Sequence, residues 1–111
     1  MLTIDSLKNW GADVQEALVR CLNNEAFYLR LVGKALEDPS FSRLPEAVHA
    51  GDLTKAFEAA HALKGVLSNL ALTPLLKPVL EITELLRSGT ETDYTPLLEE
   101  IAARKNELAN L

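Results

Sequence analysis

Apolar positions recur every three or four residues along nearly the whole chain, and no segment alternates with the two-residue period of a strand. The expected fold class is all-α. Capping residues, glycines and prolines divide the pattern into helices. A short helix is expected from Ser6 to Trp10, leading into a second over Val14–Leu22. Asn24 is a candidate N-cap for a longer helix from Glu25 to Glu37, with Phe27, Leu31 and Ala35, flanked by Tyr28 and Val32, on its buried side. Asp38-Pro39 ends it, because the residue before a proline avoids the α region. Ser42 to His49 follows as a shorter helix with Pro45 in its first turn, closed by Gly51 in a left-handed C′ position. Asp52 caps a central helix that runs to about Leu70. Thr73-Pro74 reads as N-cap and first residue of the next helix, which Arg87 and Ser88-Gly89 close. Pro78 inside it should remove a hydrogen bond and kink or tighten its start. The last helix starts between Asp93 and Pro96 and runs toward Leu108.

Short connections between amphipathic helices favour antiparallel neighbours. The expected architecture is an antiparallel up-down four-helix bundle with one or two additional short N-terminal or connecting helices. Segments 25–37, 53–70, 74–87 and 94–108 supply the long helices, and 42–49 or 14–22 could exchange places with them. Neither a repeat nor a linker interrupts the chain. One domain over 1–111, with its bundle core at about 24–108, is expected.

Composition narrows the function. The 111 residues are 48% hydrophobic and 24% charged, enough for one core and unlike a disordered chain. A net charge of −5 disfavours nucleic acid and anionic membranes as partners. The single cysteine, Cys21, excludes an internal disulfide and reads as a small buried apolar residue. The start MLTIDSLKNW lacks the apolar core of a signal peptide, and no apolar run approaches the ~20 residues of a membrane span. A cytoplasmic protein is expected, and the charge and the lack of a heptad seam favour a monomer. There is neither a glycine-rich phosphate loop nor a metal-ligand spacing. His49, before Ala50-Gly51, reads as a helix C-terminal charge, and Glu81/Glu84 and Glu99/Glu100 as solvated faces.

The candidate chemistry lies in the central helix, DLTKAFEAAHALKGVLSNL. Leu53, Ala56, Ala60, Leu63, Leu67 and Leu70 form its core stripe. At ~100° per residue, His61 falls roughly 130° from the centre of that stripe and points outward. Phe57 and Lys64 lie one turn below and above it on the same side, with Gly65 one turn above and Ser68 two. Gly65 costs a helix interior about 1 kcal/mol against alanine, which local stability does not explain but close approach of another backbone does. A neutral imidazole can attack phosphorus without a separate base, and Lys64 can partly neutralise the phosphoimidazole formed. In-line transfer requires such an uncrowded nucleophile, while nucleotide or magnesium must come from a partner. Taken alone, His61 also reads as a solvated helix histidine without a role.

The segment AHALKGVLSNLALTPL resembles the His-x-x-Lys-Gly signature of histidine-containing phosphotransfer (HPt) domains. Upstream, NEAFYLRLVGKALED and AVHAGDLTKAFEAAHALKG are similar to that family's tyrosine-containing helix, short helix and Gly-Asp turn; downstream, LLKPVLEITELLRSG resembles its next bundle helix. The likeness covers about residues 5–108. It implies a four-helix bundle that accepts a phosphoryl group from a receiver-domain aspartate and passes it to another receiver in a two-component phosphorelay. It implies no cofactor of the chain's own, magnesium being supplied by the receiver, and partners that are response regulators or hybrid histidine kinases. By residue match His61 is the phosphoacceptor, on Nε2, Lys64 its neighbouring charge and Gly65 the position kept small for the receiver. Phe57, Glu58 and Ser68 are docking candidates, and Thr83 falls where some members hold a polar residue that orients the histidine. The sequence departs from the family pattern at Ala71, in place of a second glycine, where a small packing adjustment is expected, and at Pro78. A helical adaptor that docks receivers or partner helices without carrying phosphate is the alternative, and a phosphoacceptor module of a larger sensor kinase is a third reading.

Overall fold

A computed structural model describes residues 1–111 and contains seven helices and no strand: α1 Ile4–Trp10, α2 Val14–Arg20, α3 Glu25–Leu36, α4 Ser40–His49, α5 Leu53–Asn69, α6 Thr73–Arg87 and α7 Thr95–Ala109. The expected bundle is present, with one refinement. Its first column is two helices laid end to end. Tyr28 of α3 reaches Leu70 at the top of α5, and Ala35 and Asp38 line a groove with Gly65 further down. From there α4 takes over, with Ser40 and Ala47 facing Lys55, Ala59 and Ala62 of the lower half of α5. Asp38-Pro39 makes the break, and the chain resumes helix at Ser40, two residues before Ser42. The columns α3–α4, α5, α6 and α7 close into a ring, because Phe41 and Leu44 of α4 also face Leu98 and Ile101 of α7.

Caps explain most of the boundaries. Asn24 and Asp52 accept hydrogen bonds from the backbone N–H groups of Phe27 (3.0 Å) and Lys55 (3.1 Å), as their types predict. Thr3 and Ser6 add a reciprocal capping box at α1, which moves its start to Ile4. Gly51 and Gly89 have φ of +73° and +64° and close α4 and α6. In each case the following N–H reaches back to the carbonyl five residues earlier, Asp52 to Ala47 and Thr90 to Leu85. Ala71 does the same at the end of α5, with φ +52° and the Leu72 N–H bonded to the Leu67 carbonyl. A left-handed alanine costs about 1–2 kcal/mol. Its methyl is buried, which offsets part of that cost. The departure from glycine at this position thus leaves the turn intact.

Four expectations are corrected. Phe27 is 40% exposed, and the inward seam of α3 is Tyr28, Val32 and Ala35, with Leu31 half-buried. Pro45 is the sixth residue of α4, beyond its first turn, so the Phe41 carbonyl lacks a helical donor. Thr73 is the first residue of α6 and Pro74 the second, so Leu72 occupies the cap. Helix α2 ends at Arg20, short of Leu22.

The two N-terminal helices cover the end of the bundle where α5 stops. Arg20 donates from Nη1 to the carbonyls of Ser68 and Asn69, both at 3.1 Å, and so caps the C-terminus of α5. The Asp13 N–H bonds the Ala71 carbonyl, and the Trp10 indole N–H donates to Glu107 of α7 at 3.1 Å. Cys21 is buried and unpaired in this region.

Tyr28 anchors this end. It is fully buried, and its hydroxyl donates to the Leu70 carbonyl at 2.9 Å. Tyr28→Phe leaves that carbonyl unpaired, and a loss of about 1–2 kcal/mol is expected from urea unfolding at neutral pH. Burial above all, with Cys21 and Asp13 adding to it, pushes the phenol up to about 12. A raised folded value means that the stabilising contribution is intact below the unfolded phenol's ~10 and fades as pH climbs from there through about 12. Wild type and Tyr28→Phe should therefore converge in stability across that interval. A gap that stayed constant up to pH 12 would contradict this account. Tyr94, also raised by burial, acts alike in both proteins.

Candidate functional site

The rotation of α5 decides what the site contains. Ala56, Ala60, Leu63 and Leu67 have no exposed surface and point into the bundle, and Ala59 is 6% exposed toward α4. Full burial of each leucine is worth roughly 1.5–3 kcal/mol, so the helix cannot turn about its axis. His61 is consequently held on the outside, where it is exposed. The outward histidine is present, and so is the expected stripe from Ala56 to Leu70, with Leu53 only half-buried at its start.

The other candidates flank His61. Phe57 is half-buried beside Leu86 and Arg87 of α6, and the half-buried Lys64, seven residues on, shares its side of the helix, while Glu58 and Gly65 are exposed on the flank toward α4 and α3. Glu58 belongs to a cleft that also holds Arg43, Glu46 and Lys55, a mixture of charges that singles out no ligand. Gly65 lies beside Leu31, Lys34 and Asp38. A Cβ built on Gly65 would meet nothing within 4 Å. Internal packing does not require glycine here. Ser68 is half-buried, and its carbonyl is engaged by Arg20.

The imidazole is held by stacking alone. Its centroid lies 5.7 Å from that of Phe57, with the ring planes 22° apart, and no protein group hydrogen-bonds either nitrogen. Lys64 is also free: the ion pairs of the chain are Arg20–Glu16, Arg87–Glu84 and Arg104–Glu107. An unclaimed imidazole beside an unpaired ammonium suits an incoming anion.

Thr83 takes no part in orienting His61. It is fully buried, and its hydroxyl donates to the Val79 carbonyl one turn back in its own helix, at 2.6 Å. Sequence reasoning missed Arg87, whose guanidinium carbon sits 5.1 Å from the Phe57 ring centroid. Its proximity is implicit in the topology, since folding α6 back on α5 about the turn at 71–72 brings residue 87 opposite residue 57. No three His, Cys, Asp or Glu side chains converge to hold a metal ion.

Comparison with known proteins gives one result. A family model described as Hpt domain matches residues 28–111, about three quarters of the chain. No curated protein and no solved structure matches. The matched span runs from the buried tyrosine of α3 to the C-terminus and takes in all four columns of the bundle together with the exposed histidine. The chain accordingly belongs to the Hpt domain family, whose members are phosphocarriers in phosphorelay signalling rather than catalysts.

Proposed function

We propose that His61 is the phosphoacceptor of this carrier, taking a phosphoryl group from the aspartate of one receiver domain and delivering it to another. The observation that carries the reading is the exposed imidazole, with both nitrogens unclaimed, next to the unpaired Lys64. In the forward step the Nε2 lone pair attacks phosphorus in line. The N–P bond forms as the P–O bond to the aspartyl carboxyl breaks, and the carboxylate leaves with that electron pair. The proton on Nδ1 stays in place, so no separate base is needed. Lys64 offsets the charge of the phosphoryl oxygens. The receiver supplies magnesium and the rest of the transition-state stabilisation. Gly65 keeps the approach low, and Phe57, Glu58 and Ser68 border it as docking contacts. The same reading places the chain in the cytoplasm as a monomer. No helix is long and apolar enough to cross a membrane.

Phosphorus NMR tests it. Incubation with a phosphorylated receiver and magnesium should convert the acyl phosphate signal into a phosphoramidate signal, whereas acetyl phosphate alone should give little. Receiver binding without a phosphoramidate signal would replace the carrier with a non-phosphorylated helical adaptor.

A further inference from the structure

The contact on His61 raises a question that the transfer chemistry leaves open: what fixes the plane of an exposed ring. The terminal torsion of a histidine is broad, and in-line attack requires the in-plane lone pair to point at phosphorus. A hydrogen bond could orient the ring, but the protein makes none to it. We propose that Phe57, braced by Arg87, is a positioning residue that sets the plane of the His61 imidazole for transfer. The inference rests on His61 being the phosphoacceptor.

The geometry supports this role. The two rings lie within 22° of parallel at 5.7 Å, so Phe57 restricts rotation of the imidazole from its face and leaves the nitrogens on its edge open. Phe57 is itself restrained. It is half-buried against the hydrophobic core, and the Arg87 guanidinium lies over its ring at 5.1 Å. Arg87 is held in turn by Glu84, whose Oε1 is 3.4 Å from its Nε. A line of contacts thus runs from Glu84 and Arg87 on α6, through Phe57, to His61 on α5. The docking role given to Phe57 above does not require a stack on His61, and it gives Arg87 no part.

Two measurements on wild type, Phe57→Leu, Phe57→Tyr and Arg87→Gln test the proposal. The first is the chemical shift of the His61 ring protons, which a stacked phenyl ring moves upfield. The second is single-turnover transfer at saturating phosphorylated receiver, where weaker docking does not count. Phe57→Leu should lose the upfield shift and slow transfer about five- to tenfold. Phe57→Tyr should keep both. Arg87→Gln should weaken the shift and slow transfer roughly two- to threefold. Wild-type transfer by Phe57→Leu after the shift is lost would overturn the proposal, as would an unshifted imidazole in the wild type. Should Phe57→Leu fail to fold, the exposed Arg87→Gln decides, and an unchanged shift and rate there would overturn it. A wild type with the upfield shift that never takes label would sink the phosphoacceptor reading instead, and the positioning role with it.

Discussion

His61→Gln should abolish phosphoryl labelling by a phosphorylated receiver and leave the fold unchanged. The expected loss is complete, because glutamine has no nucleophilic nitrogen of comparable basicity and no other histidine lies in the site. His49, the second of the two histidines, is exposed at the last turn of α4, on the helix column before α5. The structural cost is small. The side chain is exposed and makes no hydrogen bond, glutamine is a good helix former, and only the stack on Phe57 is lost. Thermal unfolding followed by circular dichroism should shift by no more than a few degrees, matching a change within about 1 kcal/mol. Full labelling of a folded His61→Gln protein would remove the basis of the whole functional reading.

Much of this site was legible in the sequence because its parts lie on one helix. The order of residues around α5 follows from a fixed angle per residue, and the apolar stripe says which way that order faces. His61, Lys64 and Gly65 could therefore be placed before any tertiary contact was known. The caps at Asn24 and Asp52 and the glycines at 51 and 89 were readable for a related reason, since each acts through its own backbone. What was illegible depends on contacts between helices. The pattern of α3 offers two overlapping seams, one through Phe27 and one through Tyr28, and only the reach of Tyr28 to Leu70 selects the second. Thr83 could satisfy its hydroxyl within its own helix or across the gap to His61, and sequence does not distinguish these. Arg87 is distant from Phe57 along the chain, and Arg20 is still further from the carbonyls that it caps.

Gly65 gives the second large effect, in which stability and function move in opposite directions. Gly65→Ala should stabilise the free protein by roughly 0.5–1 kcal/mol, because helical alanine loses less entropy on folding and its Cβ has open space within 4 Å. Gly33 in α3 provides the control. It too lies within a helix, and a methyl added there would meet nothing within 4 Å, so Gly33→Ala should stabilise by a similar amount. The two positions separate when the side chain is made large. Gly65→Leu should remain folded, since its side chain extends into solvent beside α3, yet it should slow transfer from a phosphorylated receiver by about a hundredfold or more. A displacement of about 1 Å in the attacking geometry is enough for a loss of that order, and a leucine one turn from His61 holds the receiver further away than that. Gly33→Leu, on a different helix and outside the groove that Gly65 lines, should transfer at the wild-type rate. Chemical denaturation and single-turnover transfer on the four variants read both quantities. Wild-type transfer by Gly65→Leu would mean that no partner approaches the backbone there, and the glycine would be left as a destabilising residue without a purpose.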